Sequence, residues 1–467
     1  MSKFKFKLPN TLVLIYSFVV LMAILTWIIP SGEFNRELLN GKEIIIDGSF
    51  HYVKSNPQFI IEILMAPITG FLKTADIIIF LLIVGGAFGV LKKTEAIDAA
   101  IFEITKAHNK YPFLKKFLIP ILMIIFSLAG AVFGMSEETI PFILIFVPLA
   151  IMLGYDTITG VAIPFLGAGA GFAGAFINPF TLGIAQTISD LPPLSGMEYR
   201  IVCWIVLTTA AIIFTVKHAN KVKKNPALSP TPEIDKFWKE NLHLSEIENK
   251  FQKLSKKHLM VLSIFGLSMA LLVFGVLEYK WYINELSALF LGTGIVVGIF
   301  GSLNIQELTD SFLDGAKELF STALIVAFAR AILVVAADGK IIDTILFSLS
   351  SMISELHPIL SSWAMFIIQS ILNFFIPSGS GKAALTMPIM APLSDLIGVA
   401  RQTTVLAYQF GDGFTNLIIP TSPVTMAILA LSKIPYEKWA KWMLPMQIIF
   451  FILGLLLLIP PLLIGWK

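Results

Sequence analysis

The feature that most constrains this chain is a series of long apolar runs. About 20 apolar residues cross a bilayer as a helix, and only helices or closed barrels satisfy the backbone there. The runs are too long for barrel strands, so they predict an all-α polytopic membrane protein. The clear runs are 11–29, 76–91, 113–132, 199–216, 260–277, 285–301, 319–337, 358–376 and 443–464.

The composition agrees with that class of protein. Hydrophobic residues make up 56% of the chain and charged residues only 14%, against about 45–50% and about 25% in soluble domains. A net charge of +3 is too small to indicate nucleic acid, and the single cysteine, Cys203, excludes a disulfide framework. The partners that we expect are a lipid bilayer and a small-molecule substrate.

The charged loops predict an orientation. Run 11–29 follows three lysines and precedes no small-residue cleavage site, which favours a retained helix over a signal peptide. Segment 217–257 holds 10 lysines and 5 acidic residues, which is typical of a cytoplasmic linker between two halves. With both ends of the first half inside, the number of crossings is even. We therefore expect 57–75 to cross and 92–116 to lie outside, against its own lysine surplus.

An internal repeat divides the chain into two halves. A shift of 244 residues aligns Gly, Pro and Ser positions without a gap, which chance identities in apolar sequence rarely do. The matched pairs include Ser136 with Ser380, Pro148 with Pro392, Gly154 with Gly398, Thr159 with Thr403, Gly169 with Gly413, and Pro179 with Pro423.

Each half contains the same unit, an apolar helix followed by a polar break, a short apolar run and a broken helix. The short runs 139–154 and 383–398 predict re-entrant hairpins, and stretches 157–190 and 402–432 predict interrupted helices. Interrupted segments at matching positions of two halves indicate the binding site of a transporter.

The polar residues at these interruptions are the candidate substrate-binding residues. Free backbone groups at helix ends attract carboxylates or cations, and we expect a possible Na⁺ near Asn178, Asp412 and Asn416. The neutral candidates are Ser136, Asn178, Thr181, Ser378, Ser380, Asn416, Thr421 and Ser422, and the charged ones are Glu137, Glu138, Lys382 and Asp412.

The charged candidates are informative because an intramembrane charge is costly. Glu137 and Glu138 bind a cationic group or a proton, or else form a solvated turn. Asp412 is the strongest candidate for an amine, a cation or a proton. Lys382 either attracts a substrate carboxylate or pairs with a carboxylate of the protein. Arg330, in mid-span, is interpreted as half of a structural ion pair. The neutral candidates either bind ligand or cap broken helices.

An enzyme is not expected, and neither is a cofactor. Residues 169–174 fit a dinucleotide-binding pattern but lack the preceding strand that it requires. The six histidines do not have metal-ligand spacing, and no nucleophile–base pair is recognisable. A passive channel is disfavoured because it does not need matched broken hairpins.

Several motifs together resemble the YfcC-type carriers, which are grouped with the DcuC-type anaerobic C4-dicarboxylate carriers and basic amino-acid antiporters in the ion-transporter superfamily. The resemblance covers nearly the whole chain. The motifs are Leu8–Thr11, Trp27–Phe34, Gly85–Gly89, Ala96–Asp98, Gly134–Glu138 and Pro377–Lys382.

The resemblance implies two inverted repeats and an elevator motion of a transport part against a dimeric scaffold. The first repeat is then 1–216, with scaffold helices in 1–132 and a hairpin and broken helix in 133–216. The linker is 217–257. The second repeat is 258–467, divided into 258–376 and 377–467. The superfamily's Ser-Asn-Thr signature is not reproduced at the hairpin tips of this chain.

The resemblance and the mixed charge at the interruptions predict a secondary active transporter in the bacterial inner membrane, with a cytoplasmic N-terminus. The favoured substrate is an amino acid, through arginine/ornithine-type exchange. C4-dicarboxylate transport coupled to Na⁺ or H⁺ is the alternative.

Overall fold

The computed structural model describes residues 11–39, 42–46, 48–192, 195–241, 254–279, 281–351 and 356–466. The lysines before residue 11 and part of the predicted linker lie outside these ranges. The described chain is predominantly helical, as the apolar runs predict.

The first half contains ten α-helices and one 3₁₀ helix among the described residues. They are α1 (Thr11–Ile28), α2 (Ile60–Lys73), α3 (Ala75–Lys93), α4 (Ala96–Lys110), α5 (Pro112–Phe133), a 3₁₀ helix (Glu137–Phe142), α6 (Ile143–Met152), α7 (Thr157–Ala162), α8 (Phe165–Ala173), α9 (Leu182–Ile188) and α10 (Met197–Lys224).

The linker and the second half are also helical. Their helices are a 3₁₀ helix (Pro226–Leu228), α11 (Pro232–Asn241), α12 (Lys256–Tyr279), α13 (Ile283–Phe300), α14 (Ile305–Asp338), α15 (Ile342–Ser351), α16 (Pro358–Phe375), α17 (Gly379–Leu396), α18 (Arg401–Asn416), α19 (Pro423–Ser432), α20 (Tyr436–Leu457) and α21 (Ile459–Ile464).

Four short strands lie between α1 and α2. β1 (Gly32–Glu33) pairs with β4 (His51–Tyr52), and β2 (Arg36–Leu39) pairs with β3 (Lys42–Ile45), both antiparallel. Arg36 anchors them to α15 through an ion pair of 2.7 Å with Asp343.

All nine predicted apolar runs form helices. In the described part of the chain, eight helical segments are long and apolar enough to cross a membrane; run 11–29 forms a shorter apolar helix. Proline occupies the first turn of α5, α16 and α19, where its missing N–H leaves no intrahelical bond unmade. The chain is therefore a multi-pass membrane protein.

Helices α2 and α3 lie end to end along α14, with only Thr74 between them. A Cβ added at Gly70 would lie 2.4 Å from the Ala327 carbonyl oxygen, and one at Gly85 would lie 2.6 Å from that of Gly315. Glycines thus let the helix backbones approach closely, in antiparallel order. The prediction that 57–75 crosses separately is wrong, since α2 has only 14 residues and runs along α14 in the same direction as α3.

The lysine-rich loop 92–116 lies at the same end of the molecule as the linker. The rings of His108 and Tyr155 are 6.5 Å apart, and the Lys223 ammonium lies 4.7 Å from the Tyr155 ring. The prediction that 92–116 lies on the opposite side is therefore wrong. That prediction depended on a separate crossing by 57–75. Because this crossing is absent, the two lysine-rich segments lie on the same side, as their positive charge indicates.

The element order of the two halves agrees with the repeat. At the 244-residue shift, α5 corresponds to α16, α6 to α17, α7 with α8 to α18, and α9 to α19. The turns after α6 and α17 each use a glycine in the left-handed region, with φ of 81° at Gly154 and 72° at Gly398. The backbone conformation of this turn favours glycine at both positions.

The start of the linker is fixed by buried carboxylates. The Asp235 carboxylate of α11 accepts hydrogen bonds from the Thr157 backbone N–H, at 2.8 Å, and from the hydroxyl of Ser229. Asp156 next to it binds His218 at 2.8 Å. Burial raises the pKa of Asp156, but the hydrogen bonds from His218 and Thr159 and the charge of His218 outweigh burial and hold the pKa below its usual value. The start of the linker is therefore docked against the first half of the chain.

We expect Asp235→Ala to undock α11, because the donors of Thr157 and Ser229 lose their buried acceptor. The free energy of unfolding should fall by about 2 kcal/mol. Trypsin should cleave faster at the exposed Lys236 and Lys239. The control is Glu233→Ala, on the exposed face of the same helix, and equal cleavage rates in the two variants would contradict the assignment.

Candidate functional site

The first break begins where α5 ends. Gly134 has φ of 73° and its backbone N–H donates to Gly130, which closes the helix. A Cβ added at Gly134 would lie 2.7 Å from the Asn178 side-chain oxygen. The same oxygen accepts from the backbone N–H groups of Phe180 and Thr181, at 2.9 and 3.3 Å. One buried amide therefore joins the first and second breaks.

The breaks of the second half are capped by hydroxyl groups. The Ser378 hydroxyl accepts from the Gly381 backbone N–H and the Ser422 hydroxyl from that of Thr425, both at 3.4 Å. The Thr425 hydroxyl donates to the Asn416 carbonyl oxygen. Ser378 and Ser422 also line a cavity, so capping does not exclude ligand binding.

The four breaks meet around a cavity of about 430 Å³. Its volume suits an organic molecule of metabolite size. The predicted site residues that line it are Ser136, Glu137, Glu138, Thr181, Ser378, Ser380, Asn416, Thr421 and Ser422. The remaining three candidates, Asn178, Lys382 and Asp412, are buried behind its wall.

Aromatic side chains form much of the apolar lining. They are Phe133, Phe172, Phe180, Tyr282, Phe374 and Phe375. Tyr282 precedes α13, far from the interruptions in sequence, and its ring lies 5.9 Å from that of Phe180. Sequence patterns offer no signal for Tyr282, because its place in the cavity depends only on how α13 packs.

Two carboxylates of the first tip line the cavity. Glu138 is only 8% exposed, and its carboxylate accepts the Ser136 backbone N–H at 3.0 Å. Glu137 is partly exposed beside it. Among the described residues, no basic group lies within 4 Å of either carboxylate. Two acids without a protein counter-charge therefore face the cavity.

Arg330 brings a positive charge to the same cavity. It projects from α14 and also lines a neighbouring cavity of about 400 Å³, which extends toward Arg36 and Lys340. Its Nε atom is buried without a hydrogen-bond partner, and no carboxylate of the described chain lies within 4 Å; Asp76 attracts it from farther away. The interpretation of Arg330 as half of a structural ion pair is therefore wrong.

Lys382 and Asp412 form an ion pair of 3.0 Å, and both side chains are fully buried. The alternative in which Lys382 pairs with a carboxylate of the protein thus describes this structure. The Lys382 ammonium also donates to the Asn373 side-chain oxygen at 3.1 Å. A Cβ added at Gly379, on the cavity wall, would lie 3.1 Å from Asp412. The pair therefore lies directly behind the second tip.

Residues 8–461 match the family model DcuC, described as C4-dicarboxylate anaerobic carrier. The "Putative basic amino acid antiporter YfcC" of Escherichia coli (strain K12) is 34% identical, over 99% of this chain and 98% of that protein. An uncharacterized protein of Haemophilus influenzae (strain ATCC 51907 / DSM 11121 / KW20 / Rd) is 27% identical, over 98% and 97%.

Two solved transporter structures match the chain over nearly its whole length. The Alcanivorax borkumensis YdaH transporter has a TM-score of 0.44 and 15% identity, over 98% of this chain and 99% of that one. Neisseria gonorrhoeae MtrF, of a class of antimetabolite efflux pumps, has a TM-score of 0.42 and 17% identity, over 97% and 95%. On the family match and the 34% identity over nearly its full length, the chain belongs to the DcuC family of carriers.

Proposed function

We propose that this protein is a secondary active transporter that exchanges basic amino acids. The observation that carries the proposal is the charge of the cavity. Among the described residues, the acidic and basic side chains that line it are Glu137, Glu138 and Arg330, and none has an ion-pair partner within 4 Å. Their net negative charge complements a molecule with one carboxylate and two cationic groups.

The chemistry of each group fits that substrate. The planar guanidinium of Arg330 binds a carboxylate through two parallel hydrogen bonds. The two glutamates accept the α-ammonium and the cationic end of the side chain. Unpaired charges at membrane depth are costly, so a substrate that neutralises them is bound in preference to water. The name of the Escherichia coli relative supports the same class of substrate.

C4-dicarboxylate transport is the second candidate, and the family description favours it. Arg330 and the hydroxyls of Ser136, Ser378 and Ser380 suit two carboxylates. A dicarboxylate, however, brings two negative charges next to Glu137 and Glu138, which requires protons or cations to neutralise them.

We further propose that the two repeats are inverted. An added Cβ at Gly169 would meet Leu417, and one at Gly413 would meet Ala173. The 244-residue shift matches Gly169 with Gly413 and Ala173 with Leu417, so the two contacts are equivalent. Such reciprocal contacts are what a two-fold relation between two units produces.

The equivalent turns also lie at opposite ends of α10. The turn after α6 contacts its C-terminal end, where the Lys223 ammonium lies over Tyr155. The start of α18, directly after the equivalent turn, contacts its N-terminal end, where Arg200 donates to the Gln402 side-chain oxygen at 3.2 Å. A helix of 28 residues is about 42 Å long. This separation supports repeats that run in opposite directions.

An elevator motion fits the composition of the cavity. Arg330 belongs to the predicted scaffold part 258–376, whereas both hairpin tips belong to the predicted transport parts 133–216 and 377–467. A sliding transport part would separate the tips from Arg330 and expose the substrate to the other side. A homodimer, the bacterial inner membrane and a cytoplasmic N-terminus remain part of this proposal.

The direct test is counterflow in proteoliposomes. Vesicles loaded with unlabelled arginine should accumulate labelled arginine and ornithine, and should not accumulate leucine or succinate, because only a basic amino acid matches all three charges. Succinate counterflow without arginine counterflow would instead establish the dicarboxylate alternative.

The role of Arg330 is tested with a pair of ligands that differ in one group. We expect Arg330→Ala to weaken arginine binding by about tenfold or more and to leave agmatine, which lacks the carboxylate, nearly unaffected. Lys317→Ala, on the exposed face of the same helix, is the control. An equal loss for both ligands would show that Arg330 does not bind the carboxylate.

The glutamates are tested by the double substitution Glu137→Gln and Glu138→Gln. Removal of both negative charges should weaken arginine and agmatine alike by about tenfold or more, and should weaken succinate inhibition far less. Glu318→Gln, an exposed acid on α14, is the control. A selective loss of succinate binding would contradict the assignment.

Access to the cavity is tested by cysteine labelling after Cys203, which is buried, is replaced by Ala. Ser380→Cys should react with a charged methanethiosulfonate at least about tenfold faster than Thr386→Cys. Both residues lie on α17, but only Ser380 lines the cavity and Thr386 is buried. Arginine should slow the labelling of Ser380→Cys, and equal rates at the two positions would contradict the assigned cavity.

A further inference from the structure

The Lys382 ammonium is enclosed by oxygen atoms of different chemical types. It lies 3.0 Å from a carboxylate oxygen of Asp412, 3.1 Å from the side-chain oxygen of Asn373 and 3.4 Å from the carbonyl oxygen of Gln369. Carboxylate, amide and backbone carbonyl oxygens are the donors that hard metal cations select. The ring of Tyr408, 5.3 Å away, adds attraction for any cation held there.

This oxygen shell joins three elements of the candidate site. Asn373 and Gln369 belong to α16, Asp412 to α18, and Lys382 to α17. The Asn373 side-chain nitrogen donates to the Asn416 side-chain oxygen at 2.8 Å, and Asn416 lines the cavity. The Asn416 side-chain nitrogen in turn donates to Asp412 at 3.3 Å. A charge at this position thus determines how the second tip and the broken helix fit together.

Asp412 requires a cation because its carboxylate is fully buried, and an unpaired charge at membrane depth is strongly destabilising. Because the ammonium is covalently attached to the chain through the Lys382 side chain, it does not dissociate from Asp412 as a free cation would. The first half of the chain has no equivalent of this ion pair, because the positions 244 residues before Lys382 and Asp412 hold Glu138 and Ala168.

We propose that the Lys382 ammonium occupies the place of an alkali cation, so that the protein holds a built-in cation at Asp412 and transports its substrate without Na⁺. The proposal extends the proposed transport function to its coupling. It predicts a latent Na⁺ site that becomes available when the lysine side chain is removed.

The first test is Lys382→Ala, compared with Lys382→Met, which fills the same space without charge. Unfolding temperature is measured in choline chloride and in NaCl at equal ionic strength. Lys382→Ala should be stabilised selectively by NaCl, because Na⁺ and water replace the ammonium. Wild type and Lys382→Met should not respond. This measurement does not depend on any substrate, so it separates the proposal from the proposed function.

The second test is arginine counterflow with the same proteins. Wild type should be equally active in choline and in Na⁺. Lys382→Ala should lose about tenfold or more in choline and recover a large part of its activity in Na⁺. The Lys382→Ala, Asp412→Asn double variant should not respond to Na⁺, because the carboxylate that binds the cation is gone.

Three results would overturn the proposal. The first is a requirement of the wild type for Na⁺. The second is a folded Lys382→Ala protein whose unfolding temperature is the same in choline and in Na⁺. The third is failure of both Lys382→Ala and Lys382→Ser to fold in NaCl, since Na⁺ should then supply the missing charge.

Discussion

The constraint on which this structure depends is that every backbone polar group at membrane depth needs a partner. Each of the four breaks frees N–H and C=O groups that a single helix cannot satisfy. The side chain of Asn178 satisfies two N–H groups of its own break while it packs against Gly134 of another. The second break is therefore capped by its own side chain and also packs against the first. A polar cavity at their junction is the consequence, and transport sites are built from such junctions.

The distribution of charge in the site follows from a related constraint, which is the cost of burying a charged group away from water. The pair with no access to the cavity, Lys382 and Asp412, is neutralised within the protein at 3.0 Å. In the part of the chain that the structure describes, no opposite charge lies within 4 Å of the groups that face the cavity, which are Glu137, Glu138 and Arg330. A buried charge that the fold does not neutralise has to be neutralised by what binds. This separation of satisfied and unsatisfied charges gives the cavity its selectivity in the proposed function.

The sequence predicted the helices and the four interruptions because apolar length and glycine, proline and serine positions act locally. The sequence failed to predict those features that depend on packing between residues far apart in the chain. Segment 57–75 has the composition of a marginal span, yet α2 continues into α3 because both lie along α14, and that error also misplaced loop 92–116. Arg330 was expected to be paired, since a mid-span arginine usually is, and no local pattern reveals which carboxylates reach it. Tyr282 lines the cavity only because of the way α13 packs, which the sequence does not reveal.

The two repeats share a backbone plan but differ at the residues that carry charge. Position by position, Ser136 and Ser380 remain the same, whereas Glu138 corresponds to Lys382 and Ala168 to Asp412. Two identical tips around one axis would give a site that binds symmetric ligands. Here the acidic tip faces the cavity, and the basic residue of the other tip is withdrawn to Asp412. The positive charge of the cavity is supplied instead by Arg330 on α14. The two halves thereby form an asymmetric site, which suits the substrate of the proposed function because that substrate carries different groups at its two ends.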